Sequence, residues 1–299
     1  MRVAYQGETG AYSEEAALEY FGAAIDTYAC PSFDGVFAAV QAGVCEYGMV
    51  PIENSLAGNV ERNYDLLYRH PVSIVGEHFL RIQHCLIAHP GVTLPELRHV
   101  ISHPQGLAQC ESFLQKLPNV TTEAIYNTAG GVKMVREKGD RAVGAIASRR
   151  AAEIYGLNVL VEGVEDDPLN YTRFLLIAQK RVEPRESAKT SIALKLPNLP
   201  GMLFKALSVF AVHEIDVIKI ESHPLAGLLW DYVFFIDFVG STNEPGVLRA
   251  LDALAEYSLS LRVFGSYSSH FPSTHALLAQ AQNDRCSAGT INYLAPVWV

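Results

Sequence analysis

Residues 170–178, Asn-Tyr-Thr-Arg-Phe-Leu-Leu-Ile-Ala, set a carboxamide, a hydroxyl and a guanidinium directly ahead of an apolar run. The pattern reads as a buried strand with a polar head. Side chains alternate along a strand, so Asn170, Thr172 and Phe174 share one face while Tyr171 and Arg173 share the other. Thr172 can then face a cleft while Arg173 turns to another anion or braces the wall. The same grammar extends upstream. Apolar runs at 2–6, 47–52, 72–76, 84–88, 99–101, 120–126, 142–147 and 158–163 alternate with segments of helical spacing. One such segment lies near 105–116, where Leu107, Cys110, Phe113, Leu114 and Leu117 recur at steps of three and four. The alternation predicts an α/β unit with mainly parallel strands over residues 1–180.

A charged break follows. Residues 180–189, Lys-Arg-Val-Glu-Pro-Arg-Glu-Ser-Ala-Lys, carry six charges and a proline and read as a linker over 181–189. Beyond it the spacing predicts a strand at 190–196, a helix at 201–214, strands near 216–222 and 231–239, a helix at 245–257 and a strand at 261–266. The order βαββαβ is ferredoxin-like, two helices covering one face of an antiparallel sheet. In 231–239 both faces are apolar, Tyr232, Phe234, Ile236 and Phe238 against Val233 and Phe235, so the second face is expected to be buried on another copy of the same domain. The tail, 268–299, fits neither unit.

Composition narrows the function. The chain has 299 residues, 49% hydrophobic and 18% charged, enough for more than one core. A net charge of −9 with scattered Lys and Arg argues against a nucleic-acid surface. Five cysteines, at 30, 45, 85, 110 and 286, include no Cys-x-x-Cys pair, so reduced thiols are expected. No segment approaches the ~18 apolar residues of a membrane span, and no leader is read at the N-terminus. A cytoplasmic protein with no nucleic-acid or membrane partner is the expectation.

Polar, glycine-containing clusters follow several strands. Gly7-Glu8-Thr9-Gly10-Ala11-Tyr12-Ser13, Glu53-Asn54-Ser55-Leu56-Ala57-Gly58, Ser102-His103-Pro104-Gln105-Gly106 and Asn127-Thr128-Ala129-Gly130-Gly131 each stand where a strand gives way to a helix start. In open α/β sheets ligands bind at such places, and helix N-termini suit an anion. Glu53, a carboxylate inside one of these clusters, can serve as acid, base or partner for Arg173. Metal spacing, phosphate loops, dinucleotide fingerprints and nucleophile elbows are all missing from the sequence. A site of neutral donors suited to electrostatic catalysis without a cofactor is what remains.

The motifs Tyr5-Gln6-Gly7 to Ser13-Glu14, Pro51-Ile52-Glu53-Asn54-Ser55, Ser102-His103-Pro104-Gln105 and Asn170-Tyr171-Thr172-Arg173-Phe174 resemble, in order, those of the prephenate dehydratase family. Gly201-Met202-Leu203-Phe204 and Glu221-Ser222-His223-Pro224 resemble the two ligand motifs of that family's ACT regulatory domain, and the likeness covers about residues 2–267. The resemblance implies a two-lobed, periplasmic-binding-protein-like catalytic domain, with the second lobe at about 80–160, followed by an ACT domain at 190–267. It implies conversion of prephenate to phenylpyruvate, water and CO2, with Thr172 as the hydrogen-bond donor to the leaving hydroxyl. It implies substrate contacts from Asn54, Ser55, Ser102, Gln105, Arg173 and Phe174. L-Phenylalanine would act as effector at Asn198, Gly201, Met202, Leu203, Phe204, Glu221 and Ser222, in a homodimer or homotetramer. The sequence departs from the family pattern at His223, where arginine is usual, and at Met202 and Phe204. Arogenate as substrate, or a non-catalytic small-anion sensor on the same fold, are the alternatives.

Overall fold

The computed structural model describes residues 1–184, 188–224 and 232–268. Residues 269–299 of the sequence-read tail and 185–187 of the linker lie outside these residues. The chain runs β1 (Arg2–Gln6), α1 (Tyr12–Phe21), β2 (Asp26–Cys30), α2 (Phe33–Gln41), β3 (Tyr47–Asn54), β4 (Gly58–Asn59), α3 (Glu61–Arg69) and β5 (Ser73–Arg81). Next come β6 (Cys85–Ala88), β7 (His99–Ser102), α4 (Pro104–Ala108), α5 (Glu111–Leu114), β8 (Thr121–Ala124), α6 (Thr128–Lys138), β9 (Val143–Ala147), α7 (Arg149–Tyr155) and β10 (Asn158–Glu162). It continues through β11 (Tyr171–Ala178), β12 (Ala188–Lys195), α8 (Met202–Val212), β13 (Val217–Pro224), β14 (Tyr232–Val239), α9 (Pro245–Tyr257) and β15 (Ser260–Ser268).

Two compact units result. The first holds Met1–Glu8, Tyr12–Leu80 and the described residues from Thr172 onward. One of its sheets has the order β2-β1-β3-β11-β5, with β4 paired to β3. The first two pairings are parallel and β11 runs antiparallel to β3. The sheets are therefore mixed rather than mainly parallel. Strand β2 is absent from the sequence reading because it is an edge strand whose residues before Cys30 are exposed or half-buried, and so carries no apolar signal.

The other sheet of this unit is antiparallel, β13-β14-β12-β15, with α8 and α9 covering one face. That face buries Ile192, Leu194, Ala206, Phe210, Ile236, Phe238 and Leu254. The opposite face does not await a second copy. Ala193, Val233, Phe235, Phe264 and Tyr267 are buried in one core with Ile52, Tyr64, Leu67, Ile74 and Leu175 of the same chain. Each large apolar side chain so covered contributes roughly 1.5–3 kcal/mol, which explains why apolar residues alternate on both faces of β14. At the closest approach, a Cβ on Gly265 would lie 2.2 Å from the Ile74 carbonyl oxygen, so β15 needs glycine there to reach β5.

The second unit holds Thr9–Ala11 and Arg81–Tyr171. Its sheet order is β10-β6-β9-β7-β8, with β7 parallel to β8 and β9. The helix read over 105–116 is broken into α4 and α5 at Cys110. Asp166 causes the break: its backbone N–H donates to the Gln109 carbonyl at 2.7 Å, and its carboxylate accepts from the Ser112 N–H at 3.1 Å, capping a new helix start. Among the described residues no helix is long and apolar enough to cross a membrane.

Candidate active site

In the first unit the antiparallel pairing of β11 with β3 brings the start of one strand to the end of the other. Thr172 therefore faces Asn54 across the ladder, at the carboxyl ends of parallel β1 and β3. The Asn54 carboxamide is oriented by its own turn: Oδ1 accepts from the Leu56 and Ala57 N–H groups at 3.1 and 2.8 Å. Its Nδ2 consequently donates, reaching Thr172 Oγ1 at 3.0 Å. Thr172 accepts in that bond, so its own O–H proton is directed away from Asn54. A buried hydroxyl that accepts this bond keeps its own proton to donate elsewhere. Ser55 is exposed at the turn.

Arg173 and Phe174 lie inward. The register slips between them, so that Arg173 faces Glu53 and Phe174 faces Pro51, with Ile52 as the extra residue on β3. Phe174 is fully buried. The Arg173 guanidinium donates to Glu77 at 2.8 Å, to Asp237 at 2.8 Å and to the Tyr267 hydroxyl at 3.1 Å. Lys189 completes the group at 2.6 Å from Glu77. These donors face carboxylates inside the wall, which is a bracing geometry rather than that of a substrate anchor. Burial pushes the Arg173 pKa down, but Asp237, Tyr267 and Glu77 outweigh it and hold it well above its ordinary value. For Asp237 burial acts upward, and Arg173, Lys189 and the Ser191 hydroxyl bring the carboxyl below the usual range. Glu53 does not take Arg173 as partner; it pairs with Lys219 at 2.5 Å.

In the second unit three strands end at helix starts on one edge of the sheet. His103 Nδ1 accepts from the Gln105 N–H at 3.2 Å ahead of α4, Asn127 caps α6 and Ser148 caps α7. An accepting Nδ1 leaves the neutral ring protonated at Nε2, and partial desolvation lowers the His103 pKa although the residue reaches solvent. Gln105 is exposed in the first turn of α4. Ser102 is fully buried and donates to the Ile146 carbonyl at 2.7 Å, tying β7 to β9. Ser148 escaped the sequence reading: it accepts from the Ala151 N–H and donates to the Gly10 carbonyl at 2.8 Å. A serine directly after the apolar run Ala145-Ile146-Ala147 was the available signal. Gly10 has φ +92°, and a Cβ there would lie 2.8 Å from the Ala151 Cα, so only glycine seats this loop on α7.

On the β13-β14-β12-β15 sheet, Asn198, Gly201, Leu203 and Phe204 are exposed around the start of α8, while Met202 packs on the core beneath. Gly201 caps that helix with φ +80°. Glu221 and Ser222 point to opposite faces of β13, Glu221 lying 3.8 Å from Lys219 and Ser222 outward. His223 stacks on Tyr64 with ring centroids 4.5 Å apart.

The prephenate dehydratase family model matches residues 3–182 and the ACT domain model residues 190–256. The chain belongs to the prephenate dehydratase family. Among its relatives, arogenate dehydratase/prephenate dehydratase 2 of Arabidopsis thaliana is 45% identical over 278 residues, covering 89% of this chain and 72% of that one. Arogenate dehydratase 2 of Petunia hybrida is 44% identical, covering 90% and 72%. The prephenate dehydratase of Arthrobacter aurescens, solved in complex with L-Phe, superposes with a TM-score of 0.84 at 28% identity, covering 96% of this chain and 99% of that one. A protein described as a novel type of quorum quenching acylase, GqqA, superposes at 0.82 with 35% identity, covering 90% and 98%. As a member of the family the protein is a dehydratase with a catalytic α/β part and a C-terminal ACT domain. The cytoplasmic expectation is overturned: the Arabidopsis relatives are named as chloroplastic. An acidic composition and unpaired cysteines do not distinguish one compartment from another.

Proposed function

We propose that the protein converts prephenate to phenylpyruvate, CO2 and water in L-phenylalanine biosynthesis. The ring carboxylate leaves as CO2, its bonding electrons enter the ring, and the ring hydroxyl departs as hydroxide that takes up a proton. Aromatisation drives the step, so the protein has to orient a dianion and stabilise the leaving oxygen. The observation that carries this reading is the Asn54 to Thr172 hydrogen bond at 3.0 Å, in which Thr172 accepts and so keeps its own proton to donate. Thr172 donates to the departing hydroxide, and a hydroxyl this weakly acidic acts by hydrogen bonding to developing charge. Asn54 orients Thr172. Ser55, exposed at the same turn, contacts substrate. Arg173 and Phe174 support the site from within.

L-Phenylalanine is the effector in this reading, held at the start of α8 around Asn198 and Gly201 to Phe204, with Glu221 and Ser222 on β13. Exposed Leu199, Phe204, Ile218 and Ile220 support association into a homodimer or homotetramer there. Arogenate is the second reading, favoured by the names of the plant relatives.

Incubating the purified chain with prephenate and with arogenate in parallel, with and without L-phenylalanine, separates these readings. Phenylpyruvate from prephenate, at a rate altered by L-phenylalanine, is the expected outcome. Product from arogenate alone selects the second reading, and product from neither overturns both.

A further inference from the structure

Two opposite charges flank the Asn54–Thr172 pair. Glu53 precedes Asn54, Arg173 follows Thr172, and the register places them directly across the ladder from each other. Opposite charges so placed ordinarily pair with one another. Here each turns to the ACT sheet instead, Arg173 to Asp237 on β14 and Glu53 to Lys219 on β13. The Lys219 ammonium also donates to Asn59 Oδ1 at 3.0 Å. Asn59 faces Glu53 across the β3–β4 hairpin, so one cation grips both of its strands. That hairpin is the turn whose Leu56 and Ala57 N–H groups hold the Asn54 carboxamide. The Lys219 side chain is 13% exposed and its ammonium lies 5.9 Å from the Tyr64 ring centroid, so the cation is sheltered while the Glu53 side chain, 39% exposed, reaches solvent.

We propose that Lys219 is a positioning residue for the dehydration. By clamping Glu53 and Asn59 it fixes the hairpin, the hairpin fixes the Asn54 carboxamide, and Asn54 sets the direction of the Thr172 proton. Because Lys219 sits on β13 beside Glu221, a displacement of the effector strand reaches the reacting pair through this ammonium. The proposal rests on the role given to Thr172 above.

Lys219→Met, Glu53→Gln and the double variant test it. Misplacing a catalytic group through a distant change costs up to about 100-fold. Lys219→Met is expected to lower kcat roughly 10- to 100-fold, with KM within about twofold, and Lys219→Arg to restore most of it. The double variant is expected to be no slower than the worse single one, since both act through one link. Amide hydrogen exchange at Leu56 and Ala57 is expected to quicken in each. Wild-type kcat with wild-type exchange in Lys219→Met, or effects of the two substitutions that simply multiply, would overturn the proposal. Should Lys219→Met fail to fold, isosteric Glu53→Gln reads the same link. If the unaltered protein turns over neither substrate, the dehydratase reading of Thr172 fails, while the exchange comparison still decides whether Lys219 holds the hairpin.

Discussion

Arg173→Met is expected to lose about 3–5 kcal/mol of folding stability, the usual consequence of removing one partner from a buried ion group. Two cations, Arg173 and Lys189, and two carboxylates, Glu77 and Asp237, have side chains no more than 12% exposed. The group is neutral as a set. Methionine replaces the arginine stem but leaves two carboxylates facing one ammonium, in a region where hydration cannot compensate. A domain is stable by only about 5–15 kcal/mol, so the shift in the urea midpoint should be large. The pH dependence follows from Asp237. Its folded-state pKa is depressed, so the stabilisation it contributes is present above the unfolded carboxylate pKa and is lost as pH falls through the depressed value. Without Arg173 that depression is largely removed. The gap between the urea midpoints of the two proteins should therefore be widest near neutral pH and narrow on acidification. Equal midpoints at neutral pH would show that the cluster does not brace the wall.

Asn54→Asp is expected to reduce kcat by about 10²–10³-fold, the effect of losing one donor aimed at developing charge. The substitution keeps size and keeps an oxygen to accept from the Leu56 and Ala57 N–H groups. It changes one thing: a donor becomes an acceptor. A carboxylate at this position draws the Thr172 proton to itself, and the hydroxyl then presents lone pairs where hydroxide must leave. Because the change is local, the melting temperature should move little, and steady-state kinetics beside a thermal melt separates the two effects. An Asn54→Asp variant with unaltered kcat would mean that the direction of the Thr172 proton does not matter.

Much of the fold is legible in the sequence because burial is periodic. The two apolar faces of β14 appear as alternation, and the six elements of the ACT domain appear in order. What covers the second face is a different kind of information. Apolarity specifies that Val233 and Phe235 are buried, but it does not name Tyr64 and Ile74 as their neighbours, since contacts between elements far apart in the chain leave no local pattern. The same limit applies to charge. Glu77 and Asp237 stand inside apolar strands, Gly-Glu-His-Phe-Leu and Phe-Ile-Asp-Phe-Val, and a buried carboxylate requires a partner. That requirement signals a cluster, while its membership depends on three-dimensional register. Arg173 shows the consequence: read locally, a guanidinium beside Thr172 suits a dianionic substrate, but the strand turns it to the interior. The break at Cys110 arises similarly from Asp166, more than fifty residues downstream.

The most direct test compares kcat for prephenate in Thr172→Val and Thr172→Ser. Valine preserves the shape of threonine and removes the hydroxyl, whereas serine preserves the hydroxyl and removes the methyl group. A donor role for the hydroxyl predicts a loss of about 10²–10³-fold in Thr172→Val, KM little changed, and substantial recovery in Thr172→Ser. Turnover by Thr172→Val at the rate of the unaltered protein would contradict it.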